Sequence, residues 1–166
     1  MRIALLFLLL LLAVPGAYAQ APQIDRIDVV EYGIYTGNTQ AMQSAPGTAT
    51  GTVSTISDIQ HAATTRTIPA QQGVRFGFRF VVAGAPAGAI VPLHMVTIFP
   101  PPGLTNPATQ QLKAQSEYDT TAAIGTTSYK GYNFTNDWEV APGVWTMQIW
   151  YQGRKLAEQS FTVVRQ

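Results

Sequence analysis

Residues 144–164 read VWTMQIWYQGRKLAEQSFTVV, two alternating apolar runs folded about a glycine. In a strand, successive side chains point to opposite faces, so Trp145, Met147, Ile149 and Tyr151 share one face. On the return strand Ala157, Phe161 and Val163 share a face, while Leu156, Glu158 and Ser160 take the other. Opposed residues of an antiparallel pair lie on the same side of the sheet. A three-residue loop, Gln152-Gly153-Arg154, therefore opposes Trp145 to Phe161, Met147 to Gln159 and Ile149 to Ala157. A two-residue turn would put Phe161 and Val163 on the wrong face unless one bulge corrected it. The expectation is an odd-length loop or one bulge, with Trp145 in the core. Trp150 then falls on the outer face opposite Leu156, flanked by Gln148, Glu158 and Lys155.

Working outward, Gly73–Val82 (GVRFGFRFVV) is the clearest single strand. Val74, Phe76, Phe78, Phe80 and Val82 share one parity and Arg75, Gly77 and Arg79 the other, the pattern of a half-buried strand. Gly77 between two phenylalanines predicts a bulge or the close approach of a neighbour. Ile24–Tyr35 reads as the first strand. Its apolar parity switches from Ile27 and Val29 to Val30, Tyr32 and Ile34, so a bulge is expected near Val29-Val30. Ala89–Phe99 is apolar on both faces and reads as a central strand, with Pro92 near its start or at a bulge. Weaker strands are expected near 47–57, 64–68, 111–118 and 126–134. The polar stretches TGNTQAMQSAPG (36–47) and GLTNPATQQ (103–111) read as loops. With 14 glycines and 11 prolines spread along the chain and no sustained helical period, the fold class is all-β. The expected architecture is an antiparallel immunoglobulin-like β-sandwich of about 7–9 strands.

The first residues carry a different message. Arg2 precedes an unbroken apolar run, Ile3–Val14, ended by Pro15-Gly16 and followed by Ala17-Tyr18-Ala19. This is the pattern of a secretory signal peptide spanning 1–19, cleaved before Gln20. As a helix the run rises about 18 Å, short of the roughly 30 Å of a hydrocarbon core. Residues 20–166 are expected as a single domain, periplasmic or secreted in a bacterium, with no stable membrane insertion. The chain has no cysteine, so it must hold together by its core alone. Of ten Lys/Arg and nine Asp/Glu, loss of Arg2 leaves nine of each, scattered singly. Nucleic acid is not an expected partner.

Catalytic and cofactor chemistry finds little support. Ser57, Asp58 and His61 form a local cluster, whereas catalytic triads are assembled from distant segments. His94 alternates with Val96 and Ile98 and reads as a sheet histidine bonded to backbone. Two histidines and no cysteine do not suit a dedicated transition-metal site, and no cofactor is expected. Glu117/Asp119 and Asp137/Glu139 are each two residues apart and, on strands, would share a face, the only candidates for paired-acid hydrolysis. The pattern is read as non-enzymatic.

Two binding surfaces remain. The first is Trp150, Leu156 and Gln148, which either another segment covers or a periplasmic or cell-envelope protein partner uses, together with a sheet edge. The second is the stretch SYKGYNFTNDWEV (128–140), where Tyr129, Tyr132 and Trp138 could stack on a sugar ring while Asn133 and its neighbours bind hydroxyls of a polysaccharide. Asn133 in NFT would be a glycosylation acceptor only in a eukaryotic secretory pathway.

Glu139, Pro142-Gly143, Trp145, Gly153 and the closing Phe161-x-Val163, with EYGIY at 31–35, resemble a family of exported bacterial proteins of unassigned activity. The resemblance implies a single immunoglobulin-like sandwich domain and supports the bacterial periplasm. It brings no functional residues with it.

Overall fold

The computed structural model describes residues 21–165; the expected signal peptide and its cleavage point lie outside them. Eleven strands are present among the described residues, nine of them in two stacked sheets. The first sheet has four strands, β1 (Gln23–Ser44), β2 (Thr52–Ala63), β4 (Arg75–Ala85) and β9 (Thr127–Asn133), in the order β2-β1-β4-β9. The second runs β3-β11-β10-β5-β8, from β3 (Thr67–Pro69), β11 (Arg154–Val164), β10 (Gly143–Tyr151), β5 (Ile90–Ile98) and β8 (Gln115–Ala123). All pairs are antiparallel except β3 with β11. A small hairpin of β6 (Leu104–Asn106) and β7 (Gln111–Lys113) stands where a loop is expected from the sequence.

The core follows the parity of the phenylalanine strand. Phe76, Phe78, Phe80 and Val82 of β4 are buried and face Trp145, Met147 and Ile149 of β10 across the sandwich. Trp145 is wholly buried and its indole N–H donates to the Ala141 carbonyl at 2.8 Å. Around it stand Phe99, Tyr132, Phe134 and Phe76, with ring centroids 4.9–5.7 Å away in tilted or edge-on contact. Such pairs add about 0.5–1.5 kcal/mol each beyond their buried area.

Gly77 makes no bulge. Its strand is packed so closely against β9 that an added Cβ would lie 2.2 Å from the Lys130 carbonyl oxygen. The bulge in β1 is where the parity switch puts it. The register with β4 shifts between Val29 and Glu31, ejecting Val30 into solvent and returning Tyr32 and Ile34 to the inner face. Pro92 lies near the start of β5, beyond the stretch that pairs with β10, so its missing donor costs that ladder nothing.

The C-terminal hairpin pairs Trp145 with Phe161, Met147 with Gln159 and Ile149 with Ala157. Of the two ways to satisfy the parity, the chain takes the bulge. Gln152-Gly153 is a two-residue turn with positive φ at both positions, 48° and 75°, the geometry that matches strand twist. The register then shifts after Ile149, so Trp150 faces Lys155 and not Leu156. Leu156 is the extra residue and packs against the core. The expected Trp150–Leu156 pair does not exist.

The largest departure is β1 itself. It runs to Ser44, through residues read as a loop, because β2 supplies a ladder that needs no apolar face.

Candidate functional site

The two sheets end, on one side of the sandwich, in strands with a free edge: β9 in the first sheet and β8 in the second. β9 and β8 do not pair with each other, so the sheets do not join along these edges. The closure comes from β1 and β2, which run past the last β1–β4 pair, Tyr35 with Arg75, and continue paired only with each other. Their tip, 45–51, arches over to β8. There the Glu117 N–H donates to the Gly47 carbonyl at 3.2 Å and the Ala49 N–H to the Ser116 hydroxyl at 2.7 Å. Asn106 of β6 donates to the Ala49 carbonyl at 3.0 Å, and the Lys113 ammonium to the Pro46 carbonyl at 2.6 Å. Only glycine fits at 47, since a Cβ there would lie 2.3 Å from the Glu117 carbonyl oxygen.

Beneath the arch is a cavity of about 420 Å³, within the roughly 300–1,000 Å³ of small-molecule sites. It wraps the β9 edge, from Arg75, Gly131 and Asn133 on the outer face to Thr97, Ser116 and Tyr118 between the sheets. Met42, Thr50, Thr52 and Ile56 contribute the roof, Tyr132 and Trp138 an aromatic wall. More than half of the lining residues carry a hydroxyl or an amide, while most of the lining surface is apolar.

Three charged side chains belong to this region, and all are buried. Glu139, on the short 3-10 helix Asp137–Glu139, accepts from the Tyr132 hydroxyl at 2.7 Å and from Asn136, backbone N–H at 2.9 Å and side-chain amide at 2.6 Å. Burial and the neighbouring carboxylate push the Tyr132 hydroxyl far up, so it stays a donor. Arg75 is 7% exposed and makes one long hydrogen bond, 3.5 Å, to the Thr39 hydroxyl. Lys130 is 1% exposed, on the inner side of β9 behind Thr97 and Tyr118. Its ammonium donates to the Thr97 hydroxyl at 3.3 Å and stands 5.5 Å from the Tyr118 ring centroid. Burial pushes it down to about 7.

The residues singled out from the sequence divide as follows. Tyr132, Asn133 and Trp138 meet at the cavity. Tyr129 does not join them. It points to the outer face, donates to the Phe76 carbonyl at 3.3 Å and packs on Tyr35 with centroids 5.0 Å apart. Asp137 and Glu139 do not share a face, because the helix turns Asp137 to solvent and Glu139 inward. Glu117 and Asp119 do, but they flank His94, which lies 2.8 Å from Asp119 and 3.7 Å from Glu117 in place of the backbone partner expected for it. His61 is far from Asp58 in role: it lies 3.6 Å from Glu31, which also pairs Arg79 at 3.3 Å, while Ser57 donates to Asp58. Among the described residues no group of three His, Cys, Asp or Glu side chains could hold a metal ion.

Trp150 is half-buried, its indole N–H donating to Gln148 at 2.8 Å. With Pro92, His94, Asp119 and Tyr151 it borders a shallow groove of about 240 Å³. Arg75 and Lys130 were not anticipated. For Lys130 the signal was present: it shares parity with Tyr132 and Phe134, both of which point inward.

Comparison with known proteins agrees with the architecture. Residues 24–163 match the family described as Domain of unknown function (DUF3859). An immunoglobulin-like protein from Pseudomonas aeruginosa, a crystal structure at 1.50 Å, superposes with a TM-score of 0.61 at 28% identity, covering 90% of this chain and 100% of that one. An alkylpurine DNA glycosylase from Pseudomonas fluorescens also aligns, at 13% identity and a TM-score of 0.35 over 59% of this chain and 27% of the other, below any shared-fold likeness. No curated protein matches the chain.

Proposed function

Since this chain belongs to the DUF3859 domains of unknown function, a membership that brings a fold and no activity, we propose on geometry alone that it is a non-enzymatic binding module. It takes a saccharide-sized polar ligand under the β1–β2 arch. The observation that carries this is the cavity's make-up: its lining combines hydroxyl residues Thr50, Thr52, Thr97 and Ser116 and the amide of Asn133 with the rings of Tyr132 and Trp138. Sugars are bound by that combination, stacking against the apolar face of a ring and hydrogen bonds to its hydroxyls.

Binding is favoured over catalysis by the state of the one carboxylate at the cavity. Both oxygens of Glu139 are already engaged by Tyr132 and Asn136, so it orders the wall. The chain is placed in the periplasm or outside the cell, following the secretory reading of residues 1–19. The protein-partner surface at Trp150 and Gln148 is the weaker reading, because Leu156 has turned inward.

Tryptophan fluorescence titrated with cell-envelope and plant-wall oligosaccharides tests the proposal. A saturable change that Trp138→Ala removes is the expected result. A flat response across the panel, or a response that Trp138→Ala leaves intact, overturns it.

A further inference from the structure

Two charged side chains of opposite sign line the cavity, Arg75 and Glu139, yet they are not paired with each other, and the unpaired cation names a ligand class. Arg26 and Lys155, both well exposed, sit against carboxylates at contact distance. Arg75 and Lys130, both buried, have none among the described residues. Buried cations ordinarily come paired, since an unpaired charge out of water is costly. An arginine offers five N–H donors and an ammonium three. Arg75 uses one, to Thr39, and Lys130 one, to Thr97. Glu139 is not in contact with either cation: its hydrogen bonds come from Tyr132 and Asn136.

Resting on the saccharide reading above, we infer that the ligand is an acidic sugar, a uronic acid whose carboxylate is bound by the Arg75 guanidinium. Lys130 supplies a second positive charge from behind the Thr97–Tyr118 wall. A planar guanidinium suits a carboxylate in two-point contact. The sugar ring then lies toward Trp138 and Tyr132, on the same cavity. A neutral sugar of the same size would leave the Arg75 guanidinium buried and unpaired, so the site discriminates by charge as well as shape.

Proton linkage follows from the position of Lys130. Unliganded, its ammonium is pushed down to about 7, and a nearby carboxylate favours the charged form. Binding of the acid then draws in a proton, and affinity falls as pH rises from 7 toward 9. Tyr118, from β8, is the titratable group facing Lys130 and is pushed up to about 12. It keeps its proton throughout. Arg75 and Glu139 are the charged groups that line the cavity itself.

The experiment uses uronic-acid disaccharides and their methyl esters, which differ by the charge and one methyl group, in calorimetric titrations at pH 6.5 and pH 9. The acids are expected to bind at least tenfold tighter than the esters at pH 6.5, with proton uptake visible in buffers of different ionisation enthalpy. Arg75→Gln is expected to remove most of the acid preference, and Lys130→Met to remove the pH dependence. Thermal melts establish that each variant is folded, and the acid-to-ester ratio of the unmutated protein stands if one is not. Equal binding of acid and ester, or a preference undiminished by Arg75→Gln, overturns the acidic-ligand inference while leaving the saccharide reading in place. Absence of binding by every acid and ester overturns both.

Discussion

The Ala49 N–H donates to the Ser116 hydroxyl at 2.7 Å across 67 positions of chain, and both groups are buried. Through this bond a strand tip from the first sheet is fastened to the edge of the second. Without it the Ala49 donor has no protein acceptor, at a cost of about 1–3 kcal/mol. Ser116→Ala is accordingly expected to speed amide exchange at Ala49 by about tenfold or more, with the amides of β10 unchanged. Exchange followed by NMR or mass spectrometry measures it.

The two tryptophans of the C-terminal hairpin should separate cleanly. Trp145 is sealed among aromatic rings and bonded to Ala141, so Trp145→Ala should cost about 3–5 kcal/mol. Trp150 lies outside the core and holds only Gln148. Its replacement by alanine should cost no more than about 1 kcal/mol. Urea midpoints of the two variants decide it, and equal losses would contradict the register described.

Gly77→Ala tests how close β4 lies to β9. The new methyl would meet the Lys130 carbonyl oxygen at 2.2 Å and the Gly131 Cα at 2.5 Å, both backbone atoms. Overpacking of this kind costs about 1–3 kcal/mol or more. A lowered denaturation midpoint with weakened β4–β9 amide protection is expected.

Lys130 should leave a signature in stability against pH. Its folded pKa is depressed to about 7 from 10.5, so between these values the unfolded chain holds the extra proton. Stability therefore rises with pH through that window. Relative to Lys130→Met, the unmutated protein should gain from pH 7 to pH 10 in urea unfolding. Above pH 10 both proteins lose stability together, because Tyr118, Tyr129 and Tyr132 retain protons in the fold that unfolded tyrosines release, and the difference between the two proteins levels off. A flat difference between the two proteins would show that Lys130 is better solvated than its burial implies.

Alternation was enough to read β4 and the register of Trp145 with Phe161, because one face of each strand is buried and the period of two is then written in hydrophobicity. The same rule placed the bulge at Val30, where parity changes within a strand. It failed for 36–44, a strand held by its neighbour's backbone with polar residues on both sides. It also left the Gln152-Gly153 turn undecided, since loop and bulge satisfy the same parity. Tyr132, Asn133 and Trp138 were found because aromatic and amide side chains lie within a few residues of one another. The cavity they border was not legible, because its roof, its far wall and Arg75 come from stretches separated by tens of residues.

The arch also frees its own sequence. None of residues 36–44 or 52–60 belongs to the packed interior, although Met42, Thr52 and Ile56 border the cavity. Substitutions there would reshape the cavity's roof without touching the core, with the ends of the arch held fixed by Gly47 at β8 and Tyr35 at β4.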